Sequence, residues 1–79
     1  MKMKKWGIFC TREELENTKG KLVELGANIF EVRELSYWEK SIYLKDSSLY
    51  YNEPHIIMFY SSTLRYRWIL FKLGLKSVF

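Results

Sequence analysis

Hydrophobic and polar positions along the chain sort into two similar halves. Lys4 to Cys10 has the aromatic and β-branched content of a strand. It leads through Thr11 into a stretch where Leu15, Leu22 and Leu25 recur at helical spacing, closing on Gly26. A second strand is predicted from Ala27 to Leu35, where Phe30 and Val32 alternate with Glu31 and Arg33, implying one buried and one wetter face. The pattern then repeats nearly fifty residues later. His55 to Tyr60 reads as a strand, Ser61 begins the approach to a helix that stops at Leu73-Gly74, and Leu75 to Phe79 reads as a short last strand.

Local chemistry supports these boundaries. Thr11 with Glu14 three residues on has the form of a capping box, worth ~1 kcal/mol when formed. Gly26 and Gly74 suit the left-handed position that follows a helix. Pro54 sits just before the third strand, where its missing N–H does least harm. The expectation is one α+β domain over residues 1–79, in the order strand-helix-strand-strand-helix-strand. This is the ferredoxin-like split β-α-β arrangement, a four-stranded antiparallel sheet with two helices on one face. Residues 36–54 form an aromatic-rich insertion between the second and third strands. There, Ile42-Tyr43-Leu44 and Leu49-Tyr50-Tyr51 flank Lys45-Asp46-Ser47-Ser48 and predict an extra hairpin.

The second helix carries two apolar sides. On a helical wheel Tyr66, Ile69, Leu70 and Leu73 share one arc, and Leu64, Trp68 and Phe71 share the opposite arc, bordered by Arg65, Lys72 and Arg67. The charge-free arc is assigned to the core. The Trp68 side is covered either by residues 36–54 or by a partner, since a bare indole and phenyl forgo ~1.5–3 kcal/mol of burial each. Leu64, Arg65, Arg67, Trp68, Phe71 and Lys72 are therefore the candidate partner-binding residues, with Trp38, Tyr50 and Tyr51 of the insertion as a second patch.

Composition narrows the chemistry. The chain has 79 residues, 48% of them hydrophobic and 18% aromatic, with a net charge of +4. That is enough apolar material for a core in a domain too small to bury much of its surface alone. Cys10 is the only cysteine and His55 the only histidine, so neither an intrachain disulfide nor a Cys/His zinc site is expected, and no cofactor. Met1 to Lys5 is basic, but the apolar run after it is too short for a signal segment, so a cytoplasmic protein is expected. Charge is uneven. From His55 onward Arg65, Arg67, Lys72 and Lys76 have no acid among them, whereas Glu13, Glu14, Glu16 and Glu24 make the first helix acidic. The basic end suits an acidic partner or nucleic acid, and the acidic helix could attract the basic one of a second copy, favouring a homodimer. Catalysis would rest on Cys10 at a helix start, His55 on the neighbouring strand, and Asn52 or Glu53 to orient the imidazole. No local motif supports that trio, and no enzyme is expected.

The element order resembles that of RNA-recognition-motif domains. Against that family's third-strand motif, Asn52-Glu53-Pro54-His55-Ile56-Ile57-Met58-Phe59 agrees only at its last position, so no RNA-stacking residues carry over. Gly7-Ile8-Phe9-Cys10-Thr11 with Leu25-Gly26 is similar to SPOR domains, which implies peptidoglycan binding, but the second half lacks the matching glycine. The expected function is a small non-enzymatic protein-interaction module that associates with itself and acts as an adaptor, or as an inhibitor or regulator of a larger partner. Its Lys, Ile and Tyr content also suits a virus- or phage-encoded regulator. The alternative is RNA or single-stranded DNA binding through interleaved basic and aromatic side chains.

Overall fold

The computed structural model describes residues 3–45 and 47–74. Three strands and three helices follow one another: β1 (Lys4–Cys10), α1 (Leu15–Glu24), β2 (Asn28–Glu34), α2 (Tyr37–Tyr43), a 3-10 turn (Ser48–Tyr51), β3 (His55–Ser61) and α3 (Thr63–Leu73). The sheet is antiparallel, with β3 in the centre and the order β1-β3-β2. This corrects the expected four-stranded sheet with two helices. The fourth strand was expected over Leu75 to Phe79, which lies outside the described residues.

The additional helix, α2, replaces the hairpin expected in the 36–54 insertion, and its cause is local. Ser36 accepts the Glu39 N–H at 3.3 Å while the Glu39 carboxylate accepts the Ser36 N–H at 3.0 Å, a complete capping box. Ser47 then accepts the Leu49 N–H at 3.2 Å and starts the 3-10 turn. The box at Thr11 is only half made. Its hydroxyl accepts the Glu14 N–H at 3.2 Å, but holds a turn ahead of α1, which begins at Leu15 without a side-chain cap.

Strand alternation divides the sheet into an inner and an outer face. On the inner face, Ile8, Cys10, Ile57 and Phe59 pack with Leu22 of α1, Ala27, and Ile69 and Leu70 of α3. Trp6 lies at the border of this core, its ring stacked on Tyr66 at 3.9 Å and its indole N–H donated to the Ser61 carbonyl at 2.8 Å. β2 departs from the expected alternation. Ile29 pairs with Phe59 and Glu31 with Met58, so Phe30 is an extra, bulged residue. The bulge sends Ile29 and Val32 inward and puts Phe30 on the outer face, 43% exposed, with its ring 4.4 Å from that of Tyr60. Phe30 was expected to share a buried face with Val32, and one inserted residue moves it across the sheet.

α1 and α3 are tied together at the end of α1. Arg65 donates to the Leu25 carbonyl at 3.0 Å, a cation on the negative end of a helix. Gly26 turns the chain there with φ +90, and an added Cβ would stand 2.8 Å from the Arg65 guanidinium. The flexible side chain can give way, but the left-handed backbone cannot. Gly26→Ala is therefore expected to cost about 1–2 kcal/mol in urea unfolding. A neutral substitution would mean that the turn rearranges.

Candidate interaction surfaces

Burial around α3 follows its two sides. Ile69 and Leu70 are buried and Tyr66 and Leu73 half-buried, whereas Leu64, Trp68 and Phe71 are 67%, 44% and 77% exposed. The helix is set by Ser62, whose hydroxyl accepts the Arg65 N–H at 3.3 Å, and by Gly74, which closes it in the left-handed conformation. This start fixes the rotation of the helix, so that positions 64, 68 and 71 form one outward stripe. A shallow depression lined by Ser62, Leu64, Arg65 and Trp68 runs beside the indole.

The cations of this side differ in what they do. The Lys72 ammonium lies 5.7 Å from the centre of the Trp68 ring, within cation–π range. Arg65 is engaged by the Leu25 carbonyl, so it acts first as a staple between helices. Among the described residues Arg67 has no ion pair. The described residues of 36–54 leave Trp68 44% exposed. Their anchors lie on the outer face, where the Tyr43 ring is 6.0 Å from that of Phe9 and the Arg33 guanidinium grips the Glu39 carboxylate through two hydrogen bonds of 2.6 Å.

The second predicted patch is dispersed. Trp38, on α2, meets Tyr37 edge-on at 5.7 Å, and Tyr51 meets Tyr50 edge-on at 5.0 Å. Lys40, 5.5 Å from the Tyr50 ring, links the 3-10 turn to α2. No ring contact among the described residues joins Trp38 to Tyr50 or Tyr51. The exposed apolar residues that sequence reasoning left out include Tyr37, Ile42 and Tyr43 on α2 and Phe30 on the bulge. The Ser36-x-x-Glu39 signature could have found the first three.

Cys10 and His55 are opposite one another in the register of β1 and β3. Cys10 is buried, and burial first, then the nearby Glu14 carboxylate, pushes its thiol above the usual value, so it stays protonated at neutral pH. Among the described residues no hydrogen bond joins the Cys10 thiol to the His55 imidazole. Its Nδ1 lies 2.8 Å from the Glu53 carbonyl, which can only accept, so Nδ1–H donates. Asn52 donates to the Ser48 carbonyl and the Glu53 carboxylate accepts from Arg12, so neither side chain orients the imidazole. Among the described residues no group of three metal-ligating side chains converges, and no helix is long and apolar enough to cross a membrane. By fold this is an α+β protein whose exposed apolar residues lie on helices and on a sheet bulge rather than in an enclosed pocket. No family model, no curated protein and no solved structure matches the chain.

Two outcomes are expected from the titrating groups. Cys10 should react with a thiol reagent at neutral pH only slowly, and at the rate of a free thiol once urea unfolds the chain. Fast modification of the folded protein would contradict its burial. Glu39 is held at about 2 by the Arg33 hydrogen bonds and then the Ser36 N–H. A lowered carboxyl stabilises the fold above its free value of 4.5, and that contribution is lost as the pH falls from there through about 2. Hydrogen exchange in α2 should therefore accelerate across that window in the wild type and already be fast in Glu39→Gln. A Glu39 carboxyl that titrates at the ordinary value by NMR would show that the Arg33 grip is absent in solution.

Proposed function

We propose that this chain is a small non-enzymatic protein-interaction module that docks through the outward side of α3 and acts as an adaptor or regulator of a larger protein. One observation carries the reading: Leu64, Trp68 and Phe71 stand exposed at helical spacing on a helix whose opposite side already fills the core. Residues at i, i+4 and i+7 are the anchors by which a helix engages an apolar groove. Covering what remains exposed of the three would contribute roughly 3–6 kcal/mol, at ~1.5–3 kcal/mol for a fully exposed side chain. Association costs ~4–15 kcal/mol, so the stripe alone supports only transient binding. Carboxylates on the partner, answering Arg67 and Lys72, would supply the remainder and the orientation. The partner is therefore acidic around an apolar groove, and a second copy of α3 is a poor one, because every copy brings cations and no acid to this surface.

The test is capture from the source cell on immobilised protein, wild type beside a Trp68→Ala, Phe71→Ala double variant, after nuclease treatment. The wild type should retain an acidic protein that the variant releases at least tenfold more readily, while the melting temperature of the variant stays within a few degrees of wild type. Loss of folding in the variant would mean that the stripe is core after all. Retention of nucleic acid alone in untreated samples, with salt-sensitive binding of a labelled oligonucleotide, would favour the nucleic-acid alternative.

A further inference from the structure

The outer face of the sheet is a second apolar surface, distinct from α3. Register sorts it into three rows across the strands: Phe9, Ile56 and Arg33; Gly7, Met58 and Glu31; Lys5, Tyr60 and Asn28. α2 holds only the first row, with Tyr43 on Phe9 and Glu39 on Arg33. Those residues belong to strands about 10 Å apart, and a seven-residue helix is about 10 Å long, so α2 lies across the strands as a bar over that row. The other two rows form an open shelf. Phe30 leans on Tyr60 there, with the Lys5 ammonium 6.0 Å from the Phe30 ring. Gly7 keeps the shelf flat, since a Cβ at that position would stand 2.9 Å from the Met58 sulfur and 3.1 Å from the Ile56 Cδ1. Meanwhile α2 buries none of its own residues, and Tyr37, Trp38, Ile42 and Tyr43 are 63–74% exposed.

One face thus carries an uncovered ridge at one end and an uncovered shelf at the other. We propose that a second copy of the chain covers it, packed about a two-fold axis that runs across the strands in the plane of the contact. That axis reverses strand direction, so each α2 comes to rest on the open rows of the other copy, and a helix about 10 Å wide suits the width of two rows. Charge permits the contact. Lys5, Arg33 and Lys40 are offset by Glu31 and Glu39, so the face meets its own image without strong repulsion, as α3 cannot. Area permits it too. The exposed parts of Tyr37, Trp38, Tyr43 and Phe30 amount to on the order of 500 Å², at ~200 Å² for each full ring. Ile42 and the shelf aliphatics bring this to the size of a weak, reversible dimer interface, below the ~800 Å² per partner of a tight one. A nucleic-acid strand fits less well. Phe30 and Tyr60 already stack on each other, and Glu31 sits in the middle row.

The test uses the full chain in a dilution series, read by sedimentation and by hydroxyl-radical footprinting of the tryptophans. The wild type should sediment as a dimer at high micromolar concentration, and Trp38 should become protected as the dimer forms while Trp68 does not. Trp38→Glu should weaken dimerisation at least tenfold, and Trp68→Glu should leave it unchanged. Footprinting of the wild type decides the matter even where Trp38→Glu folds poorly. A monomeric wild type, protection of Trp68 instead of Trp38, a dimer indifferent to Trp38→Glu in a folded variant, or a dimer that forms only with an added oligonucleotide would each overturn the proposal. The α3 docking surface is separate, so the failure of either leaves the other standing.

Discussion

The structure depends on a central strand that is apolar on both sides. In β3, Ile57 and Phe59 are sealed from water on the inner face, while Ile56, Met58 and Tyr60 point the other way and are half-buried. An antiparallel sheet commonly leaves one face to solvent and marks it with polar alternation. His55–Ser61 carries no charge on its outer side, so cover is required there as well. α1 and α3 provide the inner layer. Among the described residues the outer layer is α2 alone, which is shorter than half the length of the strand it must cover. The bulge at Phe30 adds a ring over Tyr60 and relieves part of that shortage.

Much of this architecture was legible in the chain, and the reasons differ by element. The three described strands were legible because aromatic and β-branched residues run between clear breakers, and the two long helices because Gly26 and Gly74 end them. The inward side of α3 followed from periodicity alone. α2 was not legible by propensity, since Tyr37, Trp38, Ile42 and Tyr43 are residues that favour strands. There the local hydrogen bonds of Ser36 and Glu39 prevail over side-chain preference, and Arg33 from β2 locks the same carboxylate. A seven-residue segment is short enough for its cap to decide its conformation.

Other features could not have been read from a one-dimensional pattern. Period-two reasoning assigns a face to every residue from its neighbours, so one inserted residue reverses the assignment from that point on. Phe30 is such a residue, and nothing in its immediate sequence distinguishes a bulge from regular pairing. Arg65 was legible as a flanking cation of the exposed stripe, but its bond to Leu25 joins positions 40 residues apart. A side chain that rims a surface and also staples two helices has its second role written only in three dimensions.

Charge separates the two uncovered surfaces more sharply than apolar area does. Both present aromatic rings to water. Around α2, opposite charges already pair within the monomer, with Arg33 between Glu31 and Glu39. Among the described residues there is no such compensation around α3. The acids of α1 do not reach across: Glu16 turns to Lys19 within its own helix, and the cation that does cross between the helices, Arg65, is received by a backbone carbonyl. Coulomb repulsion between exposed like charges is modest pair by pair, but three cations facing three more on a small area find no carboxylate on the facing copy of this surface. A surface whose charges nearly cancel can be matched by its own image, whereas one of a single sign needs a partner of the other.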